Sequence, residues 1–122
     1  MFYKLIYRIG SGRMLREIRL SGIIIGIGLL VAPVFSRKTH RVGQKNKMFT
    51  VEELRVQVGD IVSFPNFDPF FHNIYSLSPA KIFDLGSYPQ GRTRKVKFDQ
   101  PGKVEIHCGI HPDMFMTIYV EN

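Results

Sequence analysis

From Glu53 onward the chain alternates. Leu54, Val56 and Val58 fall on one face, with Arg55 and Gln57 on the other, which is the period-two pattern of a half-buried strand. Gly59-Asp60 supplies a turn, and Ile61-Val62-Ser63-Phe64 reads as a second strand ended by Pro65-Asn66. The same reasoning predicts strands over residues 72–77, 81–85, 92–98, 103–108 and 114–121. No stretch in this half has the 3.6-residue period of a soluble amphipathic helix. About seven short strands with Gly and Pro punctuation predict an all-β fold, an antiparallel β-sandwich whose two sheets each bury one face. The segment 92–98 is rich in Arg and Lys, which fits an edge strand, because charge there discourages pairing with another chain.

The last two predicted strands have the sharpest alternation. Val104, Ile106 and Cys108 point one way, and Glu105 and His107 the other. Met114, Met116, Ile118 and Val120 share a face opposite Phe115, Thr117, Tyr119 and Glu121. Cys108 therefore ends one strand on its core face, and Met114 enters the next at the same end. Two strands and the tight loop between them gather chemistry at one pole.

The first third of the chain reads differently. Residues 20–36 are uncharged and apolar and follow a basic stretch, the pattern of an export signal or an N-terminal anchor helix. Cleavage after Ser36 is the expected outcome. A retained helix, with its Arg-rich side in the cytoplasm, is the alternative. Residues 37–46 are polar, basic and without periodicity, so they read as a linker, and 47–122 as the folded domain. The formal charge of +7 divides accordingly, with +4 in residues 1–36 and +3 spread over 37–122. That diffuse remainder argues against nucleic-acid binding.

The chain has one cysteine, which excludes a structural disulfide within it. Cys108-Gly109-Ile110-His111-Pro112-Asp113-Met114 brings that cysteine together with a histidine and a methionine in seven residues. Thiolate and thioether are soft ligands and imidazole is borderline, so the segment outlines a metal site; a Cys, two His and a weak axial Met is the blue-copper donor set. One histidine is then missing, and His40, His72 and His107 are the candidates. By residue type alone His72 is as well explained as a strand-start histidine bonded to a carbonyl. No nucleophile–base pair or carboxylate dyad points to hydrolysis.

The His72-Asn73 pair, the run Val104-Glu105-Ile106-His107-Cys108 and the Cys108–His111 spacing resemble the cupredoxins, specifically the small plastocyanin-like and amicyanin-like electron carriers. Two residues between His111 and Met114 are similar to the short amicyanin loop. The resemblance covers about 47–122, including the Asp84-Leu85-Gly86 and Phe98–Gly102 turns. It implies a Greek-key sandwich holding one copper ion through His72, Cys108, His111 and Met114, with Asn73 tying the His72 loop to the Cys108 loop. Met116, on the same face as Met114, is the alternative axial donor. It further implies a monomeric, extracytoplasmic electron shuttle rather than an enzyme, serving a cytochrome, dehydrogenase or oxidase. A copper-delivery protein and an open-site red-copper-like catalyst are the rival readings. Two departures stand out: Ile110 and Phe71 occupy positions where the family usually has Pro. Phe70, Phe71, Ile110 and Pro112 would then form an apolar rim near His111, suited to brief docking. His107, expected to face solvent beside Cys108, occupies the position of an electron-exit aromatic in plastocyanins.

Overall fold

The computed structural model describes residues 36–122. The signal or anchor reading of the N-terminal segment lies outside the described residues, apart from Ser36. Among the described residues no helix is long and apolar enough to cross a membrane.

Ten strands run in chain order: β1 Thr39–Arg41, β2 Gln44–Lys45, β3 Met48–Phe49, β4 Glu53–Gln57, β5 Ile61–Pro65, β6 His72–Ser78, β7 Lys81–Tyr88, β8 Thr93–Lys97, β9 Gly102–His107 and β10 Phe115–Glu121. They form a five-stranded sheet in the order β4-β10-β9-β6-β7, a three-stranded sheet β1-β5-β8, and the small hairpin β2-β3. The inward positions supply one continuous core. Val56, Val62, Phe64, Ile74, Val96, Val104, Ile106, Met116, Ile118 and Val120 are all buried. The alternation read in β4, β9 and β10 holds because each strand turns one face to that core, except at Val58, which lies past β4 and is exposed, and at Thr117, which is buried although it falls on the opposite face. The Arg- and Lys-bearing β8 lies at the edge of its sheet.

Three expectations are corrected. The sandwich is all-β but not purely antiparallel, since β1 pairs with β5 and β10 with β4 in parallel. Alternation reports which face a residue takes and is silent on strand direction. Residues 37–46 are not a linker: Thr39–Arg41 forms β1, and Val42 and Gln44 are buried. Finally, Asp84-Leu85-Gly86 is no turn. It is an irregularity inside β7, which continues to Tyr88, and between the pairs Asn73–Ser87 and Tyr75–Asp84 one extra β7 residue is accommodated. Gly86 takes φ 74 there, a value that favours glycine.

Asp60 explains why so polar a segment joins the sheet. Its buried carboxylate accepts the Lys38 N–H at 3.0 Å, the Gln57 N–H at 3.0 Å and the His40 Nε2–H at 2.8 Å. Burial pushes this carboxyl up, but the His40 ring and the two backbone donors outweigh it and hold it down at about 2. A folded-state value below the ordinary carboxylate value gives stability that is present above pH ~4 and lost as pH falls toward ~2. Acid unfolding should therefore steepen through this window. Asp60→Asn should flatten that part of the curve while lowering stability at pH 7, as melting between pH 2 and pH 7 would show; an unchanged acid limb would contradict it.

Candidate metal centre

The site is assembled from three places in the sequence. His72 opens β6, Cys108 follows the end of β9, and His111 lies in the loop to β10, which closes where the Met114 N–H donates to His111 O at 2.9 Å. Because β9 and β10 are antiparallel neighbours, with His107 opposite Phe115, that loop has to form a narrow bend at one pole. β6 lies on the other side of β9 and delivers His72 to the same pole.

Cys108 Sγ lies 3.8 Å from His72 Nδ1 and 3.7 Å from His111 Nδ1, and the two Nδ1 atoms are 3.2 Å apart. These three atoms are a group that could hold a metal ion. With bonds of ~2.0 Å to nitrogen and ~2.3 Å to sulfur, a planar trigonal centre needs ~3.5 Å between nitrogens and ~3.7 Å from each to sulfur. The triangle matches that requirement closely. One soft thiolate and two imidazoles fit copper. His40 and His107 are not brought into the triangle. His40 is bonded to Asp60, and half-buried His107 stacks on Tyr75, with ring centroids 5.4 Å apart, and lies 5.1 Å from the Phe115 ring. Met114 is buried at the C-terminal end of the loop, and Met116 is buried on the same strand face.

The surroundings fix the donors. His72 is wholly buried, and its Nε2–H donates to Asp68 Oδ2 at 2.7 Å, which leaves Nδ1 as a free lone pair. Asp68 in turn accepts the Asn46 and Lys47 N–H groups, at 2.7 and 3.0 Å, from the β2–β3 turn. Asn46 and Lys47 hold φ 57 and 58, so the turn aims two consecutive amides at one carboxylate. Burial raises the Asp68 carboxyl, but the Lys47 amide, His72 and the Asn46 amide together bring it below its ordinary value. His111 is pushed down, first by burial and then by the charges of His72 and Lys47. The Phe70 ring stands 5.3 Å from both imidazoles and shields them from one side.

Asn73 joins the two loops. Its backbone N–H points to Cys108 Sγ at 3.3 Å, its Oδ1 accepts the Gly109 N–H at 3.0 Å, and its Nδ2 donates to Asp84 Oδ1 at 2.9 Å. Asp84 Oδ1 also accepts the Gly86 N–H, so the β7 irregularity sets the carboxylate that sets Asn73. Phe70 was expected beside His111, as part of an apolar rim, whereas the roles of Asp68 and Asp84 escaped the sequence reading. Asp68 stands four residues before His72, and that spacing was the available signal; Asp84 had none.

No protein-family model matches the chain. It is 32% identical over 68 residues to the methylamine utilization protein MauL of Methylorubrum extorquens, a match covering 55% of this chain and 60% of that protein. Among solved structures it is similar to a Cu(I) methionine-to-alanine variant of amicyanin, with TM-score 0.64, 22% identity, and coverage of 76% of this chain and 88% of that one. An oxidised proline-to-alanine variant of amicyanin gives TM-score 0.64 at 23% identity, over 68% and 82% of the two chains. The Cu-containing nitrite reductase NirK from Thermus scotoductus gives TM-score 0.65 at 23% identity; the match covers 75% of this chain but only 23% of the reductase. The match thus spans 60% of MauL and 23% of the reductase, less than two thirds of either. These likenesses show that the chain shares the fold of amicyanin and of part of the reductase.

Proposed function

We propose that this chain is an exported type 1 copper protein that carries single electrons between redox partners and is not itself an enzyme. His72 Nδ1, Cys108 Sγ and His111 Nδ1 would hold the copper ion, with Met114 as a weaker fourth donor. The observation that carries this reading is the donor triangle, whose sides of 3.2, 3.7 and 3.8 Å already suit a trigonal ion. Copper bound there supplies a Cu(II)/Cu(I) couple. The chain's part is to keep the donors in one geometry for both states. Asp68 fixes the His72 ring, Asn73 fixes the bend at Gly109, and the closely packed β strands prevent relaxation between them. Likeness to amicyanin and MauL supports a redox partner such as a dehydrogenase or a cytochrome, and with it an extracytoplasmic location.

The test is the visible and electron-paramagnetic-resonance spectrum of the copper-loaded, oxidised full-length chain beside Cys108→Ser. An intense thiolate-to-copper band with a narrow hyperfine splitting is expected, and both should vanish in the variant. A weak band with ordinary splitting, or copper surrendered at once to a chelator, would move a delivery protein or an open catalytic site to first place.

A further inference from the structure

The hairpin that holds Asp68 also places charge beside the site. Lys45 and Lys47 are exposed on it, and exposed Arg41 ends the strand just before it. Lys47 Nζ lies 5.6 Å from the Phe70 ring centre, and that ring is 5.3 Å from His111. The Arg41 guanidinium lies 5.4 Å over Phe67. Phe67, Phe71 and Ile110 are 43%, 54% and 45% exposed; Phe71 and Ile110 precede His72 and His111 in the chain, and Phe67 lies under Arg41. Asp68, beneath the hairpin, is 4% exposed and committed to His72 and the turn amides. Exposed carboxylates at this end belong to Asp113 in the loop and to Asp84, which is held against Asn73 and Gly86.

We propose that Arg41, Lys45 and Lys47 form a cationic border to the apolar surface around His111, and that this border selects a redox protein whose docking face is lined with carboxylates. The proposal rests on the electron-carrier reading and adds the chemistry and orientation of the partner. Apolar contact lets the two surfaces come close and part again, while complementary charge sets the encounter rate and the rotation in which His111 meets the partner. A lipid surface would use the same residue types, but it would neither require nor exploit the His111 ring beside Phe70.

The hairpin double variant Lys45→Glu, Lys47→Glu is compared with Lys95→Glu, Lys97→Glu on β8, which changes net charge equally at an edge strand of the other sheet. The redox-inert trianion hexacyanochromate(III) is titrated into the metal-free full-length chain while amide resonances are followed. Broadening is expected at Lys45, Lys47, Ile110 and His111, lost in the hairpin variant and kept in the β8 variant. In the copper-loaded, reduced chain, one electron passes to hexacyanoferrate(III), giving hexacyanoferrate(II) and the oxidised protein. Its second-order rate should fall about tenfold in the hairpin variant and less than about twofold in the β8 variant. Equal losses in both variants, or broadening centred elsewhere, overturn the proposal. So does broadening of the hairpin amides by nitroxide-labelled phosphatidylglycerol nanodiscs without any by the chromium complex, which would assign the face to lipid. If the copper reading itself fails, hexacyanoferrate finds nothing to oxidise, yet the amide titration still reads the surface.

Discussion

Asp68→Ala should release copper about 10- to 100-fold more readily than the unaltered protein, although Asp68 touches no metal. The carboxylate has two duties that no neighbour can take over. It accepts the buried His72 Nε2–H at 2.7 Å, and it accepts the Asn46 and Lys47 amides at 2.7 and 3.0 Å. Without it, His72 can rotate or change tautomer, and the hairpin loses the anchor that holds its turn. Unpaired buried donors cost ~1–3 kcal/mol each, so the metal-free protein should also lose about 3 kcal/mol or more. Asp68→Asn keeps one acceptor oxygen and should fall between the two. A competition titration with a copper chelator reads the first effect, and chemical denaturation of the metal-free chain reads the second. Wild-type affinity together with wild-type stability in Asp68→Ala would remove Asp68 from the site. The pH dependence has a definite sign: a carboxyl held below its ordinary value stabilises the fold above that value and ceases to as pH drops through its lowered one.

The same carboxylate marks the boundary of what the sequence disclosed. β9, β10 and the loop between them were legible because each strand shows one face to the core, and alternation of Val104, Ile106 and Cys108 with Glu105 and His107 records that directly. The spacing of Cys108, His111 and Met114 was legible for the same local reason. His72 was not secured by its own neighbourhood and entered through resemblance to a family. The β1 strand and the β2–β3 hairpin were missed because nothing local makes them. Lys38 and Asn46 are each bound to a carboxylate 22 positions away, Asp60 and Asp68, and polar residues held by such distant partners leave no period to read. Gly86 announced a turn, yet its positive φ serves an irregularity within a continuing strand. The parallel pairing of β10 with β4 was out of reach too, since it depends on which segments meet across the sheet.

Met114 and Met116 pose the remaining question at the metal centre, because both are buried and share one face, and the two positions should separate cleanly. Met116 pairs across the sheet with Ile106, wholly inside the core. Met116→Ala should leave a cavity and cost about 2–5 kcal/mol, lowering the melting temperature by roughly 10 °C or more in a domain this small. Its copper band should stay where it was. Met114 lies one layer nearer the loop, tied to it by the bond from its N–H to His111 O. Met114→Leu keeps the volume, so stability should change by less than about 1.5 kcal/mol. It removes a neutral electron-pair donor, however, whose loss destabilises the more highly charged Cu(II) more than Cu(I), so the reduction potential should rise and the spectrum should shift. Voltammetry and melting of both variants decide the matter. A potential that moves in Met116→Leu and stays fixed in Met114→Leu would transfer the axial role to Met116, and a fixed potential in both would mean that neither sulfur reaches the metal.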